Sequence, residues 1–222
     1  MAKQLPLELP HRPSLSRDDL VVSSANRLAV EAVDAWPNWP HPVLLVTGPA
    51  GSGKSHLAEI WAGAAGAAFA GRDNLGAILA TRDFRAVVDD ADRGALPEDQ
   101  LFALVNAARL GGGWLVVTAR CLPSAMKIET PDLRSRLAAA TIASLGAPDD
   151  ALLTGVLAKL FSDRQIEVEP GALRYLVERM ERSLEAARRI VAAVDRQALA
   201  EKKRVTRPFL RRVLTEGGWQ AG

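Results

Sequence analysis

The chain has 222 residues, 48% of them hydrophobic and 24% charged, which suits a globular protein of one or two domains with a core of ordinary size. A formal net charge of +2 excludes a strongly basic nucleic-acid binder, and no apolar run is long enough to span a bilayer. The single cysteine, Cys121, excludes an internal disulfide; with no basic-then-apolar leader at the N-terminus, it points to a cytoplasmic protein.

The first thirteen residues carry Pro6, Pro10 and Pro13, so a helix is not expected there. In an extended chain Leu5, Leu7 and Leu9 of Gln4-Leu5-Pro6-Leu7-Glu8-Leu9 project to one side, and nothing in the tail is long enough to bury that side. Asn26 to Trp36 has helical apolar spacing and stops at Pro37. Val43–Val46 reads as a strand covered on both faces, followed by a helix from Lys54 to Ala65. The alanine- and glycine-rich stretch Phe69–Thr81 yields no clear element. Phe84–Val88 reads as a second strand, Pro97–Arg109 as a helix closed by Gly111-Gly112-Gly113, and Trp114–Thr118 as a third strand. Alternating strands and helices predict a parallel sheet of βαβ units. After Leu145-Gly146-Ala147-Pro148 only helices are expected, over roughly 149–163, 170–180, 183–201 and 206–215. Pro170 and Pro208 stand near helix starts, where proline is tolerated. From residue 149 on there are 14 Lys+Arg against 11 Asp+Glu, so this part is mildly basic. The expected division is a tail over 1–13, an α/β base over 14–146 and an all-helical lid over 147–222.

Between the first strand and its helix stands Gly48-Pro49-Ala50-Gly51-Ser52-Gly53-Lys54-Ser55, a complete P-loop in the setting its chemistry requires. Its glycines let backbone N–H groups turn in around a phosphate, and the helix N-terminus adds favourable partial charge. Lys54 would reach the β- and γ-phosphates of ATP or ADP, and Ser55 would hold Mg²⁺. Asp89, ending the second strand, is expected to position Mg²⁺ through water. Asp90 follows it, a shorter carboxylate than the glutamate many ATPases use to polarise water, so slow intrinsic hydrolysis is expected.

In this order the motifs resemble an AAA+ ATPase, and more narrowly the DnaA-related group that comprises the bacterial replication initiator DnaA and its regulatory paralogue Hda. Asp19–Ala29 is similar to the segment that lines the adenine pocket in that family. The resemblance implies nucleotide contacts from Val21, Val22 and Asn26, and from His56 beside the P-loop. The Asp89-Asp90 pair is also the form DnaA uses. Pro131-Asp132-Leu133-Arg134-Ser135-Arg136-Leu137 resembles the box that carries the family's arginine finger, with Arg136 in the finger position. On a helix from Asp132, Leu133 and Leu137 define the packed stripe and Arg136 lies beside it, where a solvated surface arginine is the plain alternative. Arg182 in Arg182-Ser183-Leu184-Glu185-Ala186 resembles the arginine of the sensor 2 motif, with Arg179, Arg188 and Arg189 as competitors. Thr118 stands where sensor 1 is expected, but Arg120 nearby departs from the family's acidic residue. The resemblance covers about residues 18 to 215.

DnaA carries a DNA-binding domain after its lid. Here the chain ends at Gly222 directly after the last predicted helix, so direct sequence-specific DNA binding is not expected. The tail Gln4-Leu5-Pro6-Leu7-Glu8-Leu9 closely resembles the Gln-Leu-x-Leu-x-Leu peptide that binds the β subunit of the DNA polymerase sliding clamp. The expectation is therefore an Hda-like regulator that, tethered to the DNA-loaded clamp, brings Arg136 to ATP bound on DnaA and promotes its hydrolysis. A homodimer is a further partner state to test. A stand-alone loader with its own ATPase cycle, or an adaptor that makes no use of Arg136, are the rival expectations.

Overall fold

The computed structural model describes residues 17–201 and 203–219. A short turn of helix at Arg17–Asp19 leads to α1 (Arg27–Asp34), β1 (Val43–Thr47) and α2 (Lys54–Ala65). Then come β2 (Ala68–Phe69), α3 (Leu75–Ala80), β3 (Phe84–Val88), α4 (Glu98–Ala107) and β4 (Gly113–Ala119). α5 (Pro131–Ala138) and β5 (Thr141–Ser144) complete the sheet unit. Helices α6 (Asp150–Ser162), α7 (Pro170–Val177), α8 (Leu184–Glu201) and α9 (Arg207–Gly217) follow, with no further strand among the described residues. The expected strands and long helices are present within a few residues of their boundaries. β2, α3 and β5 are additions that the sequence pattern did not announce.

All pairings in the five-stranded sheet are parallel, in the order β2-β3-β4-β1-β5. β1 lies between β4 and β5, and its period-two alternation divides the core into two layers. Val43 and Leu45 join Ala86, Val88, Leu115 and Val117 under α4 and α5, which contribute Leu104, Val105, Leu133 and Leu137. Leu44 and Val46 join Val87, Val116 and Ala143 under α1 and α2, which contribute Val30, Val33, Leu57 and Trp61. Thus α2 and α5 lie on opposite faces of the sheet. The continuous apolar runs follow from burial on both faces.

The four C-terminal helices enclose their own core, in which Leu157, Phe161, Leu176, Ile190, Val194, Leu210 and Leu214 meet. Its buried residues on α8 recur at 186, 187, 190, 191, 193 and 194, the stripe of an amphipathic helix. Asp149 caps α6, its carboxylate accepting from the Leu152 N–H at 2.7 Å and from the Ser24 hydroxyl at 2.8 Å. The backbone N–H of Leu152 is the first cause holding this carboxyl below the usual range. One residue thus starts the helical unit and ties it to the segment before α1. Among the described residues no helix is long and apolar enough to cross a membrane.

Candidate nucleotide site

β1, β3 and β4 deliver three sequence motifs to the carboxyl edge of the sheet, the edge at which open α/β sheets bind ligands. Beyond β1, Gly51 (φ 72°) and Gly53 (φ 100°) adopt the left-handed region that bends the loop into the N-terminus of α2. Lys54 is 5% exposed, and its ammonium donates to the carbonyls of Gly48 and Pro49, each at 2.9 Å. Burial holds its pKa below the ordinary lysine value, against the pull of Asp90. Ser52 Oγ is buried and has no hydrogen-bond partner among the described residues. An ammonium facing its own loop carbonyls, an orphaned hydroxyl and a helix N-terminus are groups that a polyphosphate can satisfy, so the residues fit that ligand.

At the ends of β3 and β4, Asp89, Thr118 and Ser55 form one network. Ser55 Oγ donates to Asp89 Oδ1 at 3.1 Å, and Thr118 Oγ1 donates to the same oxygen at 2.5 Å. The Asp90 N–H in turn donates to Thr118 Oγ1 at 2.9 Å. Thr118 is fully buried, so its hydroxyl orients Asp89 and anchors the turn that carries Asp90. Asp90 itself sits at φ 50° with its carboxylate 3.7 Å from Arg93. The Ser55–Asp89 pair suits a divalent cation held by a hydroxyl and, through water, by a carboxylate. Among the described residues no group of three or more His, Cys, Asp and Glu could hold a metal by protein ligands alone.

A cavity of about 60 Å³ lies between α2, the segment before α1, and helices α6 and α8. Val21, Asn26, His56, Leu184, Lys159 and Arg188 are among its walls. Asn26 shapes the segment, donating to the Val21 carbonyl at 2.9 Å and accepting from the Ser23 N–H at 2.8 Å. Val21 reaches α6 because residue 155 is glycine: a Cβ there would lie 2.7 Å from Val21 Cγ1. Burial first, then Arg188, pushes the His56 imidazole down to about 4. It is neutral near pH 7, so its 3.8 Å approach to Glu59 is not an ion pair, and among the described residues its Nδ1 has no hydrogen-bond partner.

The helical unit also touches the P-loop directly. The Leu184 N–H donates to the Gly51 carbonyl at 2.9 Å, and a Cβ on Gly51 would lie 2.2 Å from Ser183 Oγ. Glycine at position 51 is therefore required twice, by φ and by this approach. Arg182 turns elsewhere: it donates to Asp150 at 2.6 Å and to the Pro148 carbonyl at 3.3 Å, while Arg188 lines the cavity. Val22 is exposed, and Pro49 and Ala50 belong to the loop itself. Gln4, Leu5, Leu7 and Leu9 lie outside the described residues.

Arg136 belongs to the other face of the sheet. Leu133 and Leu137 are fully buried and seat α5 against α4. The Arg136 guanidinium donates to Asp132 at 2.9 and 2.7 Å, donates to Asn106 Oδ1, and lies 4.8 Å above the ring of Phe102. Its hydrogen bond is the main cause holding the Asp132 carboxyl below the usual range. α5 ends three residues before Thr141, which pairs with Leu44 at the start of β1, whereas the P-loop follows the end of β1. Arg136 is thus separated from this chain's own P-loop both by the sheet and along the strand direction. Ser183, Leu184, Lys159, Phe102 and Asn106 were not singled out in the sequence. Only the i, i+4 spacing of Phe102 and Asn106, and the small residue beside Arg182, offered any signal.

Residues 150–214 match the family model of the Hda lid domain. A relative in Haemophilus influenzae, an uncharacterized protein, is 26% identical over 115 residues, 51% of this chain and 50% of that one. The chain thus spans about half the length of this curated relative. In fold, the chain is similar to domain III of the replication initiation protein DnaA from Thermotoga maritima, with a TM-score of 0.77, 17% identity and coverage of 92% of this chain and 97% of that one. AMPPCP-bound DnaA from Aquifex aeolicus gives a TM-score of 0.70 at 16% identity, covering 93% and 70%. The Holliday junction branch migration motor RuvB of Thermotoga maritima gives 0.64 at 21%, covering 85% and 66%. Residues 150–214 thus match an Hda-type lid, and the chain shares the parallel-sheet fold of DnaA domain III.

Proposed function

We propose that this protein is a regulator of replication initiation that stimulates hydrolysis of ATP bound to DnaA, with Arg136 as the arginine finger. The observation that carries the reading is the position of Arg136: on the face of the sheet away from α2, beyond reach of the P-loop of its own chain. A phosphate that meets this guanidinium belongs to another molecule, and an arginine supplied in trans neutralises charge on a leaving γ-phosphoryl group. Asn106 and Phe102 hold the guanidinium laterally while Asp132 covers its hydrogen-bonding edge. On docking, phosphate oxygens replace the Asp132 carboxylate.

The protein's own nucleotide, ADP or ATP, is placed by Gly48–Ser55, with Lys54 exchanging loop carbonyls for phosphate oxygens. Its base would be held at the cavity lined by Val21, Asn26 and His56. Mg²⁺ would be held by Ser55 and, through water, by Asp89, and would neutralise charge between the phosphates. The cavity of about 60 Å³ would have to widen between α2, α6 and α8 to admit a base. Asp90 is engaged near Arg93 at a constrained φ, which fits a chain whose own hydrolysis is slow. The proposal includes tethering through Gln4, Leu5, Leu7 and Leu9 to the sliding clamp, where the leucines would contribute on the order of 3–6 kcal/mol of apolar burial before entropy losses.

The test is hydrolysis of ATP on preloaded DnaA with DNA-loaded clamp, adding intact protein, Arg136→Ala, or protein lacking residues 1–9. Stimulation by the intact protein alone supports finger and tether together. An intact protein without effect on DnaA overturns the reading, and turnover of its own ATP would then favour the loader alternative.

A further inference from the structure

Leu110 is 83% exposed, more than any other large hydrophobic side chain among the described residues. Single exposed leucines are ordinary on protein surfaces, so exposure alone assigns nothing. What singles this one out is its setting. Phe102, Asn106 and Leu110 recur every four residues along α4 and its wide final turn at Ala108–Gly112, so they form one stripe. Arg136 stacks on the first and bonds to the second, and the third continues the stripe bare to solvent. The charge of Arg109 in the same turn adds a minor contribution to holding the Asp132 carboxyl below the usual range, after Arg136 itself.

The turn is also fixed in place. Gly111 adopts φ 86°, a Cβ on Gly112 would lie 2.8 Å from the Ala107 carbonyl oxygen, and a Cβ on Gly113 would lie 2.0 Å from that of Phe84. Three successive glycines are each required, one by its conformation and two by close approach, to seat the turn on the start of β3. An apolar side chain held out by a rigid turn needs little further ordering when it is covered.

We infer that Leu110 is the apolar anchor of the surface that presents Arg136, and that its occupant is the ATP-loaded AAA+ domain of DnaA. The inference rests on the trans-acting finger reading and adds to it a second, separable contact. Arg136 acts on the phosphate, whereas Leu110 contributes binding by inserting between side chains of the partner beside its nucleotide. The commitment to that occupant follows from continuity: whatever brings a nucleotide phosphate to Arg136 extends over the next turn of the same stripe. Arg109 precedes the leucine in the same turn, which suits an anionic rim such as the edge of a nucleotide site.

The experiment titrates intact protein, Leu110→Ser and Arg136→Ala against ATP-loaded DnaA with DNA-loaded clamp, reading both hydrolysis and direct binding. Leu110→Ser should raise the concentration for half-maximal stimulation by roughly 10-fold or more, the loss expected for one buried leucine, with the maximal rate retained. Arg136→Ala should lose the maximal rate and retain most of the binding. Because Leu110 contacts little of its own chain, its variant keeps the thermal midpoint of the parent. A half-maximal concentration within about twofold of the parent's overturns the anchor while leaving the finger in place. A Leu110→Ser protein that loses self-association but binds DnaA normally assigns the surface to a second copy of this chain and also overturns the inference. If the intact protein neither binds nor stimulates DnaA, the functional reading fails, and the assignment of Leu110 fails with it.

Discussion

Gly51→Ala isolates the contact through which the helical unit rests on the P-loop. The substitution meets two obstacles. At φ 72° an alanine is held in the left-handed region, which costs about 1–2 kcal/mol. Its Cβ would also lie 2.2, 2.7 and 3.2 Å from Ser183 Oγ, Cβ and Cα, so α8 must withdraw and the hydrogen bond from the Leu184 N–H to the Gly51 carbonyl is lost. That bond is worth about 1 kcal/mol, and with the backbone strain and reduced packing the total is about 2–4 kcal/mol. Urea unfolding followed by circular dichroism reads the loss, and titration with a non-hydrolysable ATP analogue reads the displaced lid. Ser183→Gly in the same chain removes the two closest clashing atoms. Its own cost is a few tenths of a kcal/mol, for the Ser183 Oγ that accepts from the Ala186 N–H at 3.3 Å. The double variant should therefore recover about half of the loss, leaving the φ cost behind. A Gly51→Ala protein within about 0.5 kcal/mol of the parent, or no recovery from Ser183→Gly, would refute this account of the contact.

Thr118→Val keeps shape but removes the hydroxyl that serves Asp89 and the Asp90 N–H, so a loss of about 1–3 kcal/mol in unfolding free energy is expected, together with weaker Mg²⁺-dependent nucleotide binding by calorimetry. His56 should make stability pH-dependent. Its pKa falls from 6.5 to about 4 on folding, so the unfolded chain takes up the proton first. The stability from this group is whole above its unfolded value and is lost progressively as pH falls towards about 4, by about 2–3 kcal/mol. Urea midpoints between pH ~7 and ~4.5 should show that slope, and His56→Gln should flatten it.

Motifs whose chemistry is local were legible without a structure. Gly48–Ser55 dictates a phosphate-cradling turn because glycine positions, lysine and helix start are adjacent in the chain. Val43–Val46 and Phe84–Val88 announce buried strands because apolar and β-favouring residues dominate them, with the exposed Arg85 the exception. β5 escaped because Thr141–Ser144 is short and half exposed, and β2 because it has only two residues; both owe their conformation to the neighbouring strand rather than to their own side chains. α3 likewise rests on the single buried Ile78.

Sequence by itself determined the repertoire of this protein: a P-loop, an acidic pair, an arginine box and four amphipathic helices, each written in residues a few positions apart. Tertiary structure alone decided their relations. It bound Thr118 to Asp89 across 29 positions, set Ser183 on Gly51, directed Arg182 to Asp150 with Arg188 at the cavity, and placed Arg136 on the sheet face away from α2. The physical reason is that side-chain chemistry and local periodicity are properties of neighbouring residues. Which hydroxyl, glycine or arginine meets which partner depends instead on strand order and on the packing of layers, which no local pattern encodes.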